Sequence, residues 1–194
     1  MKPCSVATLA VLAGMAFACA RPLGPDDQPI TEGPAGRTYT NRSLGFQITI
    51  PTPLDVSWGM SVQTTHHTGV LADGTSLSVF ITAPLGRGGF QPTFSLDPFP
   101  VGRNATLAEV GAQAAKDFAE NYRNYRESAH RNVDVAGGVA ERWTFTAQTS
   151  GRGDRYTVTL VLNGRLAYLI QGNGIEGYYP TDAYESILKT LKFL

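Results

Sequence analysis

Tyr156-Thr157-Val158-Thr159-Leu160-Val161-Leu162-Asn163-Gly164-Arg165-Leu166-Ala167-Tyr168-Leu169-Ile170 carries the clearest structural signal in this chain. Tyr156, Val158, Leu160 and Leu162 alternate with polar residues, as do Leu166, Tyr168 and Ile170 after them. Period-two alternation puts each set on one face of a strand. Asn163-Gly164 between them is the strongest hairpin signal in the chain, because a type I′ turn wants positive φ at both central residues. Val161 and Leu169 are apolar on the opposite faces, so these strands are expected to be central and covered on both sides.

Outward from the hairpin the pattern continues. Residues 139–148 read as a further strand, with Trp143 and Phe145 on one face and Arg142, Thr144 and Thr146 on the other; Ser150 to Asp154 reads as the turn between. Upstream, Thr106-Leu107-Ala108-Glu109 has capping-box spacing. Leu107, Val110, Ala114, Phe118, Tyr122 and Tyr125 then recur at three- and four-residue steps, which predicts a core-facing helix over 106–128. Phe46-Gln47-Ile48-Thr49-Ile50 and Leu77-Ser78-Val79-Phe80-Ile81 read as earlier strands, with 60–66 a partner of the second across an Asp73-Gly74 turn. A last helix is expected over 181–191, with Tyr184, Ile187, Leu188 and Leu191 inward. Strands, helix, strands, helix, joined by hairpins, imply an α+β fold: a three-layer α/β/α sandwich around a mostly antiparallel sheet.

One segment resists this scheme. Residues 84–103 hold four prolines, four glycines and three phenylalanines, Phe90, Phe94 and Phe99. They read as a long loop, whose rings either lie on the core or dock a partner; loops of this length are often functional.

The first 36 residues do not belong to the domain. Residues 1–18 read as an export signal, with Lys2 as the positive region and Val6 to Phe17 as an apolar stretch too short to span a bilayer. Cys19 then stands where a bacterial lipoprotein carries its lipid; the other cleavage reading, after Ala20, removes Cys19 with the signal. Cys4 leaves in either case, so the mature chain has no disulfide framework. Residues 19–36 hold four prolines and three glycines with no aromatic residue, a composition that cannot bury enough apolar surface to order itself. A Pro/Gly-rich tether fits a lipid anchor, and it leaves 37–194 as one globular domain.

The order of elements and several local patterns resemble PsbP-like domains, which include exported bacterial proteins and the LpqN-type lipoproteins. The residues carrying the resemblance are Gly45-Phe46-Gln47-Ile48-Thr49-Ile50-Pro51, the helix at 106–128, and the end from Arg165-Leu166-Ala167-Tyr168-Leu169-Ile170 to Ile187-Leu188-Lys189-Thr190-Leu191-Lys192-Phe193. The resemblance implies a binding or assembly domain and not an enzyme. It assigns no catalytic residue, cofactor or metal.

The remaining chemistry is thin. The formal charge is zero over the whole chain, with 16 basic and 16 acidic residues. A basic surface for nucleic acid is therefore not expected. Gly172-Asn173-Gly174-Ile175-Glu176-Gly177 matches the dinucleotide fingerprint G-x-G-x-x-G. Too little chain follows for a second parallel strand with its acidic ribose partner, and Pro180 separates the glycines from the helix. His66 and His67 are adjacent on a strand and point to opposite faces, and His130 lies elsewhere, so no metal set forms. Asp97, Glu141, Asp154 and Glu176 are the carboxylates available to a small hydrolase, the alternative to a binding module; a third reading is a carrier of a small apolar ligand between sheet and helix. Arg152-Gly153-Asp154 and the sequons at Asn41 and Asn104 are short enough to arise by chance. The expected partners are another envelope protein and, through a lipid on Cys19, the membrane; no cofactor is expected.

Overall fold

The computed structural model of the chain describes residues 30–67, 74–86, 89–149, 152–175 and 177–194. Cys19, the signal segment and most of the tether lie outside them, as do Asp73 and Glu176 and the side chains of His66 and His67.

The fold is α+β and its strands pair antiparallel. A large sheet runs in the order β4 (Gly59–His67), β5 (Gly74–Thr82), β6 (Thr93–Pro100), β10 (Leu166–Ile175), β9 (Arg152–Asn163), β8 (Gly138–Thr149), β7 (Arg126–Val135). A small sheet runs β1 (Thr31–Gly33), β2 (Gly36–Asn41), β3 (Phe46–Pro51), β11 (Lys192–Phe193). Among the described residues two α-helices complete it, α1 (Leu107–Asn121) and α2 (Thr181–Leu188), with one 3-10 turn at Leu54–Val56.

Alternation determines what each face buries. Phe46, Ile48 and Ile50 are fully buried, as β3's period predicts. They share a core with Leu77, Val79, Ile81, Phe94, Leu96, Tyr168 and Ile170 of the large sheet and with Tyr184, Ile187 and Leu188 of α2. On the other face, Trp143, Phe145, Tyr156, Val158, Leu160 and Ala167 pack with Val110, Ala114 and Phe118 of α1. The large sheet is thus buried on both faces, but the layers differ from the expected helix–sheet–helix stack. One side carries α1 alone; the other carries α2 together with the small sheet.

Several boundaries move for identifiable reasons. The predicted helix 106–128 stops at Asn121. Its capping box is present, Thr106 and Glu109 bonding reciprocally. Tyr122 takes an extended conformation and Asn124 a left-handed one, with φ of 57°, and the chain turns into β7. Tyr122 and Tyr125 still pack on the α1 core, so the apolar stripe was real while its last turn is not helical. β7 itself was not anticipated, because it is an edge strand with almost every residue exposed and no alternation to see. The tight turn after it uses Ala136 and Gly137 at φ 51° and 81°, the type I′ pattern.

The Asn163-Gly164 hairpin forms, one residue out of the expected phase. Asn163 pairs with Leu166, so Gly164 and Arg165 are the central residues. Only Gly164 has positive φ, 64°, which is the type II′ requirement. The last helix ends at Leu188 instead of 191, and Lys192–Phe193 joins β3. The Pro/Gly-rich segment also ends earlier than residue 36, since Thr31–Gly33 forms β1 against β2.

The largest correction concerns 84–103. Its second half is β6, in the middle of the large sheet between β5 and β10. The prolines hid it, because a central strand cannot usually spare ladder donors. Here β6 pairs with β5 only over Thr93–Leu96, so Pro98 and Pro100 fall where that side of the strand is an edge.

Candidate functional site

The G-x-G of residues 172–174 lies on β10, where alternation turns Ile170, Gly172 and Gly174 toward α2. A Cβ on Gly172 would collide with the ring of Tyr184 and come 2.7 Å from the Tyr179 hydroxyl. One on Gly174 would sit 3.0 Å from the Tyr178 carbonyl oxygen and from Tyr179 Cα. The two glycines therefore cut a trough in the sheet that receives Tyr179 and Tyr184. Their spacing serves packing, and no phosphate cradle is formed.

Tyr184 is the centre of this region. Its ring lies 5.2 Å from that of Phe94, and its buried hydroxyl faces the carbonyls of Thr157 and Ile170 at 3.3 and 3.4 Å. The same oxygen is 3.5 Å from Thr159 Oγ1, which accepts from Arg142 Nε at 3.1 Å. Arg142 Nη1 in turn donates to Glu185 Oε1 at 2.7 Å. A continuous polar chain thus runs Glu185–Arg142–Thr159–Tyr184 between α2 and the sheet. Arg142 is buried, and a buried cation needs a partner, since removing one member of such a pair is costly. Tyr179 lies beside the chain: its hydroxyl is buried with no hydrogen-bond partner among the described residues, and Arg155 stacks on its ring, Cζ 5.1 Å from the centroid. Burial pushes the Tyr179 phenol up to about 12 and Tyr184 further still. Both are neutral donors at ordinary pH and cannot serve as bases.

Sequence reasoning placed Arg142 on a face opposite Trp143, which is correct, but assigned it no role. The available signal was a charge set among Thr144, Thr146, Thr157 and Thr159 on otherwise apolar strands. Beside Tyr184, Trp58, Pro92, Phe94 and Tyr179 line an open pocket of about 10 Å³, room for one water and no small-molecule site.

Asp97 and Glu141 do not converge, and Glu176 lies outside the described residues. Cross-strand register sets Asp97, Leu169, Leu160 and Glu141 in one row across β6, β10, β9 and β8. Three strand spacings separate Asp97 from Glu141, about 14 Å at about 4.8 Å each. Paired glycosidase carboxyls stand about 5–10 Å apart. Asp97 instead accepts from Ser95 Oγ at 2.9 Å, and Asp154 is buried in β9 and not in the expected turn. Glu141 lies over Gly111 of α1, where a Cβ would collide with its carboxylate, and its Oε2 is 3.4 Å from His130 Nε2. His130 rests on Trp143, ring centroids 4.8 Å apart. No group of three metal-ligating side chains occurs among the described residues.

Phe94 and Phe99, read as docking rings, are core residues, 1 % and 4 % exposed and on opposite faces of β6. Phe90 is half-buried in the loop before it. Of the sequons, Asn41 is fully buried, bonded to the Leu44 amide and the Tyr39 hydroxyl.

No family model matches this chain, and neither does any curated protein. Solved structures do. The cyanobacterial PsbP protein CyanoP from Synechocystis sp. PCC 6803 superposes with a TM-score of 0.54 at 15 % identity, over 88 % of this chain and 100 % of CyanoP. LpqN of Mycobacterium tuberculosis, involved in cell envelope biogenesis, gives 0.52 at 13 % identity, over 85 % and 88 %. A protein of unknown function from Pseudomonas aeruginosa gives 0.52 at 10 % identity, over 79 % and 93 %. With its order of strands and helices and these neighbours, the chain has the fold of the PsbP-like domains.

Proposed function

We propose that this protein is a non-catalytic binding or assembly domain of the bacterial cell envelope, held at the membrane by a lipid on Cys19 and engaging another envelope protein. The single observation that carries the reading is positional: the one special cysteine follows an apolar leader directly and is separated from the first strand by a Pro/Gly-rich run. Such a run reaches about 3.1 Å per residue when extended, enough to hold a domain clear of the headgroups. The fold shared with LpqN, an envelope protein, supports the setting.

The polar groups support binding over catalysis. Tyr179 and Tyr184 are held neutral, Arg142 is locked to Glu185, and Asp97 and Glu141 stand too far apart to act as a pair. The carrier reading has little support beneath α1. Phe118 stacks on Phe145 at 5.4 Å, Phe145 on Tyr156 at 4.9 Å, and Phe118 meets Trp143 at 6.3 Å, so rings fill that space. Cross-linking in the native cell, followed by identification of what is captured, tests the proposal. A reproducible envelope protein partner that is lost when the domain is unfolded supports it. Turnover of an envelope polymer by the purified chain overturns it.

A further inference from the structure

Register sets Gly59 of β4 opposite Thr82 of β5, Thr82 opposite Thr93 of β6, and Thr93 opposite Asn173 of β10. The segment leading into β4, the one between β5 and β6 and the one following β10 therefore emerge side by side at one end of the large sheet, across about 14 Å at about 4.8 Å per strand. Trp58, Pro92 and Tyr179, one from each segment, meet around the small pocket. Val56, Leu85 and Tyr178 stand out from the same three segments, 86 %, 70 % and 59 % exposed. The other large apolar residues left exposed among the described residues, Val139 and Leu194, lie at the opposite end. Val139 opens β8 beside Ala140, which pairs with Val161 near the end of β9, and the Leu194 amide donates to the Gly45 carbonyl, near the Tyr168 hydroxyl at the start of β10. A single exposed apolar side chain is ordinary, whereas a gathered group of them marks an interaction site.

These tips are held in place. Arg37 donates from Nη2 to the Asp55 carbonyl and from Nη1 to the Trp58 carbonyl, both at 3.2 Å, which pins the Leu54–Val56 turn. The Gly86 amide donates to the Phe90 carbonyl at 2.9 Å and closes the turn that carries Leu85. A Cβ on Gly86 would lie 3.3 Å from Tyr178 Cε1, so Tyr178 rests against that turn. The three side chains protrude from separate loops and form no cleft. A protein partner would need a matched pocket for each. A bilayer interface accepts protruding apolar groups without matched shape, and a tyrosine ring suits the headgroup level. Asp55 is the one charged residue among the described residues of these segments, and Arg87 and Glu176 lie outside them. With no cationic cluster to attract anionic headgroups, the fit is to the apolar boundary of the bilayer and not to its charge.

The tether reaches this end. Ile30 stands four residues before Pro34, about 13 Å at about 3.3 Å per residue. The Pro34–Ala35 turn is bonded just ahead of the Leu54–Val56 turn, Thr52 donating its amide to the Ala35 carbonyl at 3.3 Å. Cys19 precedes Ile30 by eleven residues, about 34 Å when extended at about 3.1 Å per residue. A lipid on Cys19 leaves chain enough for the tips to lie on the bilayer that holds it.

We propose that the end of the domain formed by Val56, Leu85 and Tyr178 docks on the lipid surface to which the chain is tethered, so that anchor and tips together fix the orientation of the domain. The inference rests on the lipid-anchored reading for the nearness of the bilayer, and the test supplies that nearness chemically.

The mature chain from Cys19 onward contains no other cysteine. Maleimide coupling therefore attaches it through that thiol to a maleimide-bearing lipid in phosphatidylcholine vesicles, whether or not the cell lipidates it. Trp58 follows Val56 closely, and the second tryptophan, Trp143, is buried beneath α1 and gives a constant background. A loss of Trp58 emission is expected when brominated phosphatidylcholine replaces the ordinary lipid, and it persists at high salt. The triple variant Val56→Ser/Leu85→Ser/Tyr178→Ser abolishes the loss; all three side chains are exposed, so it folds. Val139→Ser/Leu194→Ser retains the loss. No loss of emission in the coupled wild type overturns the proposal, and so does a loss that salt removes or that survives in the triple variant. Lipidation of the native N-terminus is read separately, so failure of docking and failure of anchoring are told apart.

Discussion

Replacing Gly172 by Ala adds one methyl group at a position where the backbone permits it, since Gly172 does not have positive φ. The methyl carbon falls on the Tyr184 ring and 2.7 Å from the Tyr179 hydroxyl. Tyr184 has no easy retreat. Phe94 lies against it, its hydroxyl is buried against the carbonyls of Thr157 and Ile170, and its helix is held by Glu185 to Arg142. Overpacking of this kind costs about 1–3 kcal/mol, and loosening the Tyr184 hydrogen bonds adds about 1 kcal/mol. Relief of glycine's conformational entropy returns about 0.5–1 kcal/mol. The net is about 1–3.5 kcal/mol, or a fall in Tm of about 2–14 °C at about 2–4 °C per kcal/mol. Urea and thermal unfolding of the wild type and the variant measure it. Gly177→Ala is the comparison: φ there is 87° with nothing within 4 Å, so only backbone strain, about 1–2 kcal/mol, is paid. The double variant Gly172→Ala/Tyr184→Leu should recover part of the loss, the signature of a steric pair. If Gly172→Ala is as stable as the wild type, or if Tyr184→Leu recovers nothing, the glycines are not there for the tyrosines and the trough account is wrong.

Other outcomes follow from the same structure. Thr106→Ala removes the α1 capping box and should lower stability by about 1 kcal/mol, seen as a lower urea midpoint with an unchanged slope. Tyr179 has its phenol raised from 10 to about 12, so the folded state favours the neutral form. The associated stability is present below pH 10 and is lost as pH rises toward 12. Absorbance of tyrosinate should therefore climb cooperatively with unfolding, and gradual titration of all tyrosines at their ordinary value would contradict it. Phe94→Ala should cost about 3–5 kcal/mol because the ring is buried between sheet and α2. Phe90→Ala should cost much less, and a stable Phe94→Ala variant would contradict the placement of β6.

Legibility in the sequence followed how strongly each segment alternates. β3, β5, β8, β9 and β10 alternate large apolar with polar or smaller residues, and that period was readable even where both faces are buried. The Thr106–Glu109 box marked the start of α1 to the residue, because a cap is a local interaction. Its end was not readable: Tyr122 and Tyr125 keep the apolar spacing while the backbone has already turned at Asn124. β7 is polar and exposed, and β6 carries Pro98 and Pro100, so each contradicted the local rule for a strand; only pairing with β8 and β10 makes them strands. The trough was invisible for a different reason: G-x-G reads as a phosphate loop in one dimension and as a seat for two tyrosines in three.

The tethered-domain account rests most directly on the N-terminus of the mature protein. Mass spectrometry of the N-terminal peptide, from the membrane fraction of the cell that makes this protein, measures it. The account predicts a chain that begins at Cys19 and carries a lipid on its sulfur. A chain that begins at Arg21, or an unmodified Cys19 in a protein that remains soluble, would contradict it.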